Sequence, residues 1–596
     1  MGTTAAEEEN STVLPTRAQR AFEWLTIAIF AALSLFVLLK VGWGVAVHGW
    51  IWTGALGFVF DTMQYLAWVR EMGDHFLSGN MFSLDPLVRN YFNPGLGVSA
   101  LLYRMGVPIT IAYALWVPVG IVVMAWVTVV FMRRMVEPGW PQAIAIAIAL
   151  LFKMPATWIL EGRVPAEFVN ASAYASWDAW PINWAWGFSL TVLAVALLAV
   201  GLLRYEADRR AGRMISPILA GIAFLCSWFQ PWQGSELLAI IVGSEILALL
   251  LLGRDDRGDM RRRWTLVGTT VLAGTIPLAY YAILGEVDDS WRINGIQANH
   301  YVRGVSWWTG PLVFGPLLVA ALFAYRWKPT NFGQIAIRVW PPIALVQLAF
   351  IDATGIGNSA THALKGVTLP LAALAVAGLA PWIRKVRPRP LAGVLVAGAL
   401  MVAIVPGAWK QVEYQNNEMK WPDGRGGYFI SRDDQDAIDF VANSDVPGGV
   451  IASSLINTQI PWQSDRQAWV GHETWTPRFQ SRSFFMENLL NGGLEEWNPP
   501  VNTADFLAWT GARFLIDECY HAKTRAKRAW MERDGARKAG RKPDLLRPLE
   551  TQIAPVTKSI HRFGCATVYE LEPRPGAAVP RNVGFFRLDW IDAGRK

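Results

Sequence analysis

Charge is what this chain has least of: Asp, Glu, Lys and Arg make up 17% of its 596 residues, against roughly a quarter in typical soluble proteins. The deficit lies between about residue 22 and residue 408, and the last third has the charge density of a soluble fold. Cysteine is scarce too, with three in all. Cys226 sits in an apolar run and reads as a small buried hydrophobe. Cys519 and Cys565 both fall in the last third, where a disulfide is open to them if that part faces an oxidising compartment. No His/Cys cluster has zinc-ligand spacing, no Gly-rich phosphate loop follows a strand, and no nucleophile elbow is present. These absences argue against a nucleotide-driven pump and a serine hydrolase. The formal charge of +7 does not indicate nucleic acid, because the basic residues cluster in short stretches between apolar runs, as orientation signals do.

What is present is length of apolar sequence. A bilayer-crossing helix needs about 20 mostly apolar residues, and such runs occur near 22–45, 109–132, 141–160, 182–203, 214–230, 235–253, 264–285, 309–326, 335–352, 366–383 and 390–408. Alternate connections are short and basic: Arg133 and Arg134; Arg204 to Arg213; Arg254 to Arg263, including Arg257; Arg326 and Lys328; Arg384 to Arg389. That alternation places the N-terminus inside and, with an odd helix number, everything after about residue 410 outside. The N-terminal run has no small-residue cleavage signal after it and reads as an uncleaved first helix. The predicted fold is therefore an α-helical polytopic membrane protein of about eleven transmembrane helices with a C-terminal soluble α/β domain. Its parts are an inside tail (1–21), a transmembrane core (22–408) with a large first outer loop (46–105), and an outer domain (409–596). In the last of these, DDQDAIDFVANS reads as an amphipathic helix, and GGVIASSL, QAWVGH, ARFLIDEC and ATVYELEP read as short strands. KTRAKRAWMERDGARKAGRKPD reads as a basic helical or mobile insertion with a solvated face.

The outer connections 46–105, 161–181 and 286–308 are rich in aromatic, acidic and amide residues, which suits work at the membrane interface. Ionisable residues there are functional candidates. Asp61 directly follows the apolar stretch ALGFVF, where partial desolvation makes a carboxylate a better base. Tyr65 is four residues on and shares its helix face; the alternative role for Asp61 is a helix cap.

An outer loop with an acidic residue just after the first helix, an amphipathic segment and many helices resembles the GT-C-fold glycosyltransferases, in particular the bacterial polyprenyl-phosphate-sugar-dependent mannosyl- and arabinofuranosyltransferase type. FDTMQYLAW is similar to their first-loop acidic motif, which implies that Asp61 is the catalytic base. The family often has a second acidic neighbour, but Phe60 and Thr62 flank Asp61 here, leaving Asp74, Asp85 and Glu161 as candidate second carboxylates. NSATHALKGVTLPLAALAVAGL resembles a late helix of such proteins with a basic residue at its outer end. This implies donor-phosphate binding by Lys365 and His362, with His300, Arg303 and Arg292 as further candidates. The alternative for Lys365 is an interfacial snorkelling lysine. Trp232, Gln233 and Glu236 in FQPWQGSELLA are candidates to line a sugar pocket, or mark a helix hairpin. AWVGHETWTPRF resembles a segment that often follows such cores, which would bring His472 and Trp475 over the site; the alternative is a strand-to-loop connection.

The resemblance implies an inverting glycosyltransferase at the outer face of a bacterial plasma membrane. Its donor would be a polyprenyl-phosphate sugar, its acceptor a glycan, lipid or protein of the envelope, and nucleic acid would play no part. No cofactor is obligatory, and a divalent cation is left open. The rival expectations are a lipid-linked-sugar flippase or transporter, which would need polar residues along mid-helix and similar halves, and a non-catalytic envelope assembly protein.

Overall fold

The computed structural model describes residues 16–155, 159–252, 260–300, 306–354, 359–420, 427–494 and 501–572. Arg254, Arg257 and Arg303 lie outside them, as does the side chain of His300. From the N-terminus, α1 (Arg17–His48) leads through the short strand β1 (Ile51–Trp52) into α2 (Val59–His75) and α3 (Pro94–Arg104). Then follow α4 (Ile109–Ala114), α5 (Trp116–Met135), α6 (Trp140–Leu151), α7 (Ala166–Asp178), α8 (Pro181–Gly187) and α9 (Ser189–Arg210). The helical part is completed by α10 (Pro217–Phe229), α11 (Pro231–Leu251), α12 (Met260–Val287), α13 (Asp289–His300), α14 (Ser306–Leu322), α15 (Phe332–Thr354), α16 (Thr368–Ile383) and α17 (Arg389–Glu418).

Among the described residues, 8 helical stretches are long and apolar enough to cross a membrane, and α6, α10 and α16 are shorter apolar helices. Each falls on one of the eleven runs expected from the sequence. Lipid offers no partner for a backbone amide, so a crossing segment must satisfy its own groups as a helix. Several helices keep apolar faces uncovered by protein. Val394, Met401, Val402 and Val405 are exposed along α17, an apolar surface suited to lipid. That helix meets the bundle where a Cβ on Gly407 would come within 1.9 Å of the Lys153 carbonyl oxygen, so only glycine permits the contact. At one end of the bundle, ion pairs tie helices together: Arg133 to Glu23, Arg134 and Arg210 to Glu206, and Arg209 to Glu245. We call this end the foot. The chain leaves α1 at the other end, the head, where α2, α3, α7 and α13 gather.

The C-terminal part is an α/β layer structure. β3 (Val450–Ile451), β4 (Phe514–Asp517), β5 (Thr557–Phe563) and β6 (Ala566–Leu571) form a sheet in the order β3-β4-β6-β5, with β3 parallel to β4 and the other pairs antiparallel. Successive side chains on a strand face opposite ways, and both faces are buried. Val450, Phe514, Ile516 and Val568 pack with Ile438 and Val441 of the helix Arg432–Ala442. Ile451, Leu515, Tyr569 and Leu571 pack with Phe485, Leu489 and Phe506. QAWVGH, expected as a strand, contributes only an isolated bridge from Ala468 to Val450. Val450 N–H donates to Gln467 O and Trp469 N–H to Val450 O, both at 2.9 Å, while Ala468 N–H donates to Met81 O of the first outer loop at 2.8 Å. β5 was not expected; its Lys558, His561 and Arg562 give it the charged surface of an edge strand. Cys519 and Cys565 are joined, linking the end of β4 to the β5–β6 hairpin. A second, two-stranded pairing ties Ile51 and Trp52 of β1 to Ile430 and Phe429 of β2 (Phe429–Ile430).

Candidate active site

At the head of the bundle a cavity of about 280 Å³ is enclosed by α2, α3, α7, α11, α13, the 359–362 turn and the 472–475 segment. Its wall is aromatic. Trp475 stands edge-on to Trp68 (centroids 5.3 Å apart) and to Trp291 (4.9 Å), while Trp68 and Trp291 are stacked at 6.2 Å. The segment that carries Trp475 is pinned from both sides. Asn80 Nδ2 donates to Trp475 O at 2.9 Å, and Gln297 Nε2 donates to Thr474 O and Thr476 O at 3.0 and 2.8 Å.

Asp61 opens into this cavity from the first turn of α2, with its side chain 34% exposed. It does not cap the helix, because Phe58 is the N-cap and makes no side-chain cap bond. An anion in a first turn is favoured by the helix macrodipole. His472 faces Asp61, with Nε2 3.7 Å from Oδ1. The backbone N–H of Thr474 donates to His472 Nδ1 at 3.1 Å. Nδ1 is thereby an acceptor, and the ring proton must sit on Nε2, aimed at Asp61. Tyr65 lines the cavity one turn on. Burial, and then the Asp61 charge, push its pKa well above the ordinary tyrosine value, so it stays a neutral hydroxyl.

A second acidic centre was not singled out from the sequence. Asp178, at the end of α7, lines the cavity opposite. Its carboxylate holds Lys365 Nζ at 3.2 Å, His362 Nδ1 at 3.1 Å and the Thr361 hydroxyl at 2.6 Å. Burial alone would raise its pKa, but Lys365, His362 and the hydrogen bonds from His362 and Thr361 outweigh that and hold it well below the carboxylate range. Burial lowers the pKa of Lys365, and Asp178 opposes the shift. His362 is lowered by burial and then by Lys365. Lys153 is buried nearby, where its Nζ donates to Ser176 O at 2.7 Å. Glu473 is a third carboxylate on the wall, raised by burial and by Asp61 against the lowering pull of His472.

The cavity thus gathers Asp61, Tyr65, Trp232, His362, His472 and Trp475 from the expected set. Lys365 is brought close but not in: it is fully buried behind Asp178, with its ammonium 4.4 Å from the Phe188 ring centre. It is therefore a buried ion-pair partner and not a snorkelling surface lysine. Gln233 is fully buried too and donates to His362 O and Lys365 O, so it braces the turn rather than lining the wall. Glu236, one turn further on, is buried in the bundle. Asp74 and Glu161 are exposed and away from the cavity, Asp74 pairing with Arg70 at 3.6 Å. Asp85 accepts from the Ser83 hydroxyl, and Arg292 pairs with Asp289 at 2.5 Å. His300 and Arg303 fall outside what is described.

Five residues of the cavity wall, Pro231, Trp232, Tyr281, Trp291 and Asn294, also line a larger apolar groove of about 1610 Å³. This groove runs the whole length of α11 and α15, from Trp232 down to Arg338. The 21 residues of α11 correspond to about 31 Å at 1.5 Å per residue, the thickness of a bilayer's hydrocarbon core.

Two groups among the described residues could hold a metal ion, Glu71–His75–Asp465 and Asp433–Cys519–Cys565. Neither is in the cavity. Glu71 is already held by Arg89 at 2.8 Å, and the two cysteines are bonded to each other.

No family model and no curated protein matches this sequence. Among solved structures, the chain is similar to the archaeal oligosaccharyltransferase AglB from Archaeoglobus fulgidus, in complex with an inhibitory peptide and a dolichol-phosphate; identity is 12%, coverage 86% of this chain and 72% of that one, and the TM-score 0.48. It is also similar to ArnT from Cupriavidus metallidurans bound to undecaprenyl phosphate, at 13% identity over 94% of this chain and 100% of that one, with a TM-score of 0.44. A further similar structure is the arabinofuranosyltransferase AftD from Mycobacteria, at 13% identity over 83% of this chain and 36% of that one, with a TM-score of 0.42.

Proposed function

We propose that the chain is an inverting glycosyltransferase that takes a sugar from a polyprenyl-phosphate donor and passes it to an envelope glycan, lipid or protein at the outer face of a bacterial plasma membrane. One observation carries this reading: the Asp61 carboxylate opens into an aromatic-walled cavity that shares its wall with a bilayer-length apolar groove. The groove suits a long isoprenoid tail, and the aromatic faces suit a sugar ring.

In this reading Asp61 takes the proton of the acceptor hydroxyl while that oxygen attacks the anomeric carbon. The bond from that carbon to the phosphate oxygen breaks, and the lipid phosphate departs with the electron pair. His472 presents its Nε2–H to Asp61 and keeps the carboxylate aimed at the cavity. His362 is the assigned phosphate contact. Its Nδ1 proton is held by Asp178, and an arriving phosphate would raise its affinity for a second proton at Nε2. Lys365 acts at one remove, by keeping Asp178 ionised. His300 and Arg303 remain proposed phosphate contacts without an assigned position. A divalent cation is not needed for this scheme.

The test uses purified protein in vesicles with a polyprenyl-phosphate sugar as donor. Asp61→Asn should leave the protein folded by size-exclusion chromatography and cut transfer at least about a hundredfold, the scale of a lost general base. Full transfer by that variant would remove Asp61 from the mechanism.

A further inference from the structure

The foot of the large groove carries a feature the reaction does not use. There the groove is lined by Tyr325, Arg326, Trp327, Lys328 and Arg338. Several arginines at this end of the bundle are paired with carboxylates: Arg133 with Glu23, Arg134 and Arg210 with Glu206, Arg204 with Asp208, Arg209 with Glu245. Among the described residues, Arg326, Lys328 and Arg338 have no carboxylate partner. Arg326 lies against the Phe323 ring, 4.9 Å from its centre. Arg338 is set inside the crossing helix α15, where it donates to Gln334 O at 2.7 Å and Ala324 O at 3.1 Å, and its Nε is buried without a partner. Trp327 and Tyr325 are exposed beside them, as aromatic residues are at the level of lipid headgroups.

Three uncompensated cations at the bottom of an apolar groove call for an anion that brings hydrocarbon with it. A free phosphate would satisfy the cations and leave the apolar wall beside them bare. A zwitterionic lipid would bring its own cation to three others. We infer that the foot of this groove binds an anionic phospholipid of the leaflet opposite the active site. Its phosphate sits among Arg326, Lys328 and Arg338, and its acyl chains rise between α11 and α15. Basic pockets between membrane helices are suited to such headgroups. The inference does not depend on the glycosyltransferase reading, since the cations lie at the far end of the groove from Asp61.

The experiment is native mass spectrometry of the full chain, released from mixed micelles carrying phosphatidylglycerol or phosphatidylcholine. Wild-type protein should retain phosphatidylglycerol and not phosphatidylcholine, and millimolar inorganic phosphate should not displace it. Arg338 also holds backbone carbonyls, so the main variant is Arg326→Gln with Lys328→Gln. Retention should fall about thirtyfold, as expected for two cation contacts with an anionic headgroup. The control, Lys385→Gln with Arg387→Gln, removes the same charge from a basic loop that does not line the groove, and retention should be unchanged. Equal loss in the control would mean a diffuse surface potential and overturn the site, as would undiminished retention in the main variant. Displacement by inorganic phosphate would replace the lipid with a free anion.

Discussion

Asp178 sets the charge balance of the cavity, and its neighbours only make sense around it. An ammonium as enclosed as that of Lys365 persists because a carboxylate 3.2 Å away receives it. Removing one partner of such a pair strands the other. Lys365→Met should therefore destabilise the protein by about 3–5 kcal/mol, read as a lowered thermal midpoint in detergent, and adding Asp178→Asn should recover much of the loss. If Lys365 were a free phosphate ligand instead, the single variant would keep its midpoint and lose only donor binding. Asp61 and Tyr65 were legible in the sequence because their relation is local, four residues along one helix. Asp178 was not. Its string of aromatic and small residues reads as an interfacial loop, and its partners are 183 and 184 residues away in the chain. Glu473 was hidden too: its neighbour His472 is visible in the sequence, but the burial and the Asp61 charge that raise it come from the fold.

The elements of the C-terminal sheet divide along a similar line. β4 and β6 were evident from the dense apolar residues of FLID and ATVYEL, whereas QAWVGH, of similar composition, makes a single bridge to β3 and gives its Ala468 amide to the first outer loop. The junction between β4 and its following helix, Cys519–Lys538, carries a pH-sensitive group. Burial pushes Glu518 up from 4.5 to about 7, against the lowering effects of His521 and a hydrogen bond from Ser453. Burial would lower His521, but Glu487 and Glu518 raise it above its ordinary value. Both folded values exceed the unfolded ones, so the folded state holds more protons. The Glu518 contribution is complete below about pH 4.5 and is lost as pH rises through about 7; that of His521 is lost further up. Stability should therefore decline between pH 5 and 8, with a Glu518 share of up to about 3 kcal/mol. Thermal midpoints across that range should show the slope in wild type and a much flatter profile in Glu518→Gln.

For the molecule as a whole, the helical layout was readable because the bilayer leaves so little choice: a crossing segment must be long, apolar and helical. The resemblance placed His472 and Trp475 over the site, but the contacts that dock the C-terminal domain were not readable, since they run to backbone carbonyls and carry no side-chain signature. Arg70 Nη1 reaches Trp462 O at 2.9 Å, and Asn80 reaches Trp475 O at the same distance. A chain ending before Phe429 should still insert its helices, but α2 and the loop after it would lose these supports. Hydrogen exchange should rise across residues 51–91 and stay unchanged in α9 and α11. Uniform protection throughout would mean that the first loop holds its shape alone.

The pairing of β1 with β2 also imposes an order on biogenesis. Thr53 donates its hydroxyl to Gly427 O, a partner 374 residues later. At the usual pace of roughly 5–20 residues per second, the ribosome needs about 20–75 seconds to supply it. The strand β1 is thus made early and paired only after the whole helical part has been synthesised. A nascent chain would therefore hold residues 51–53 without their partners until residues 427–430 have been made.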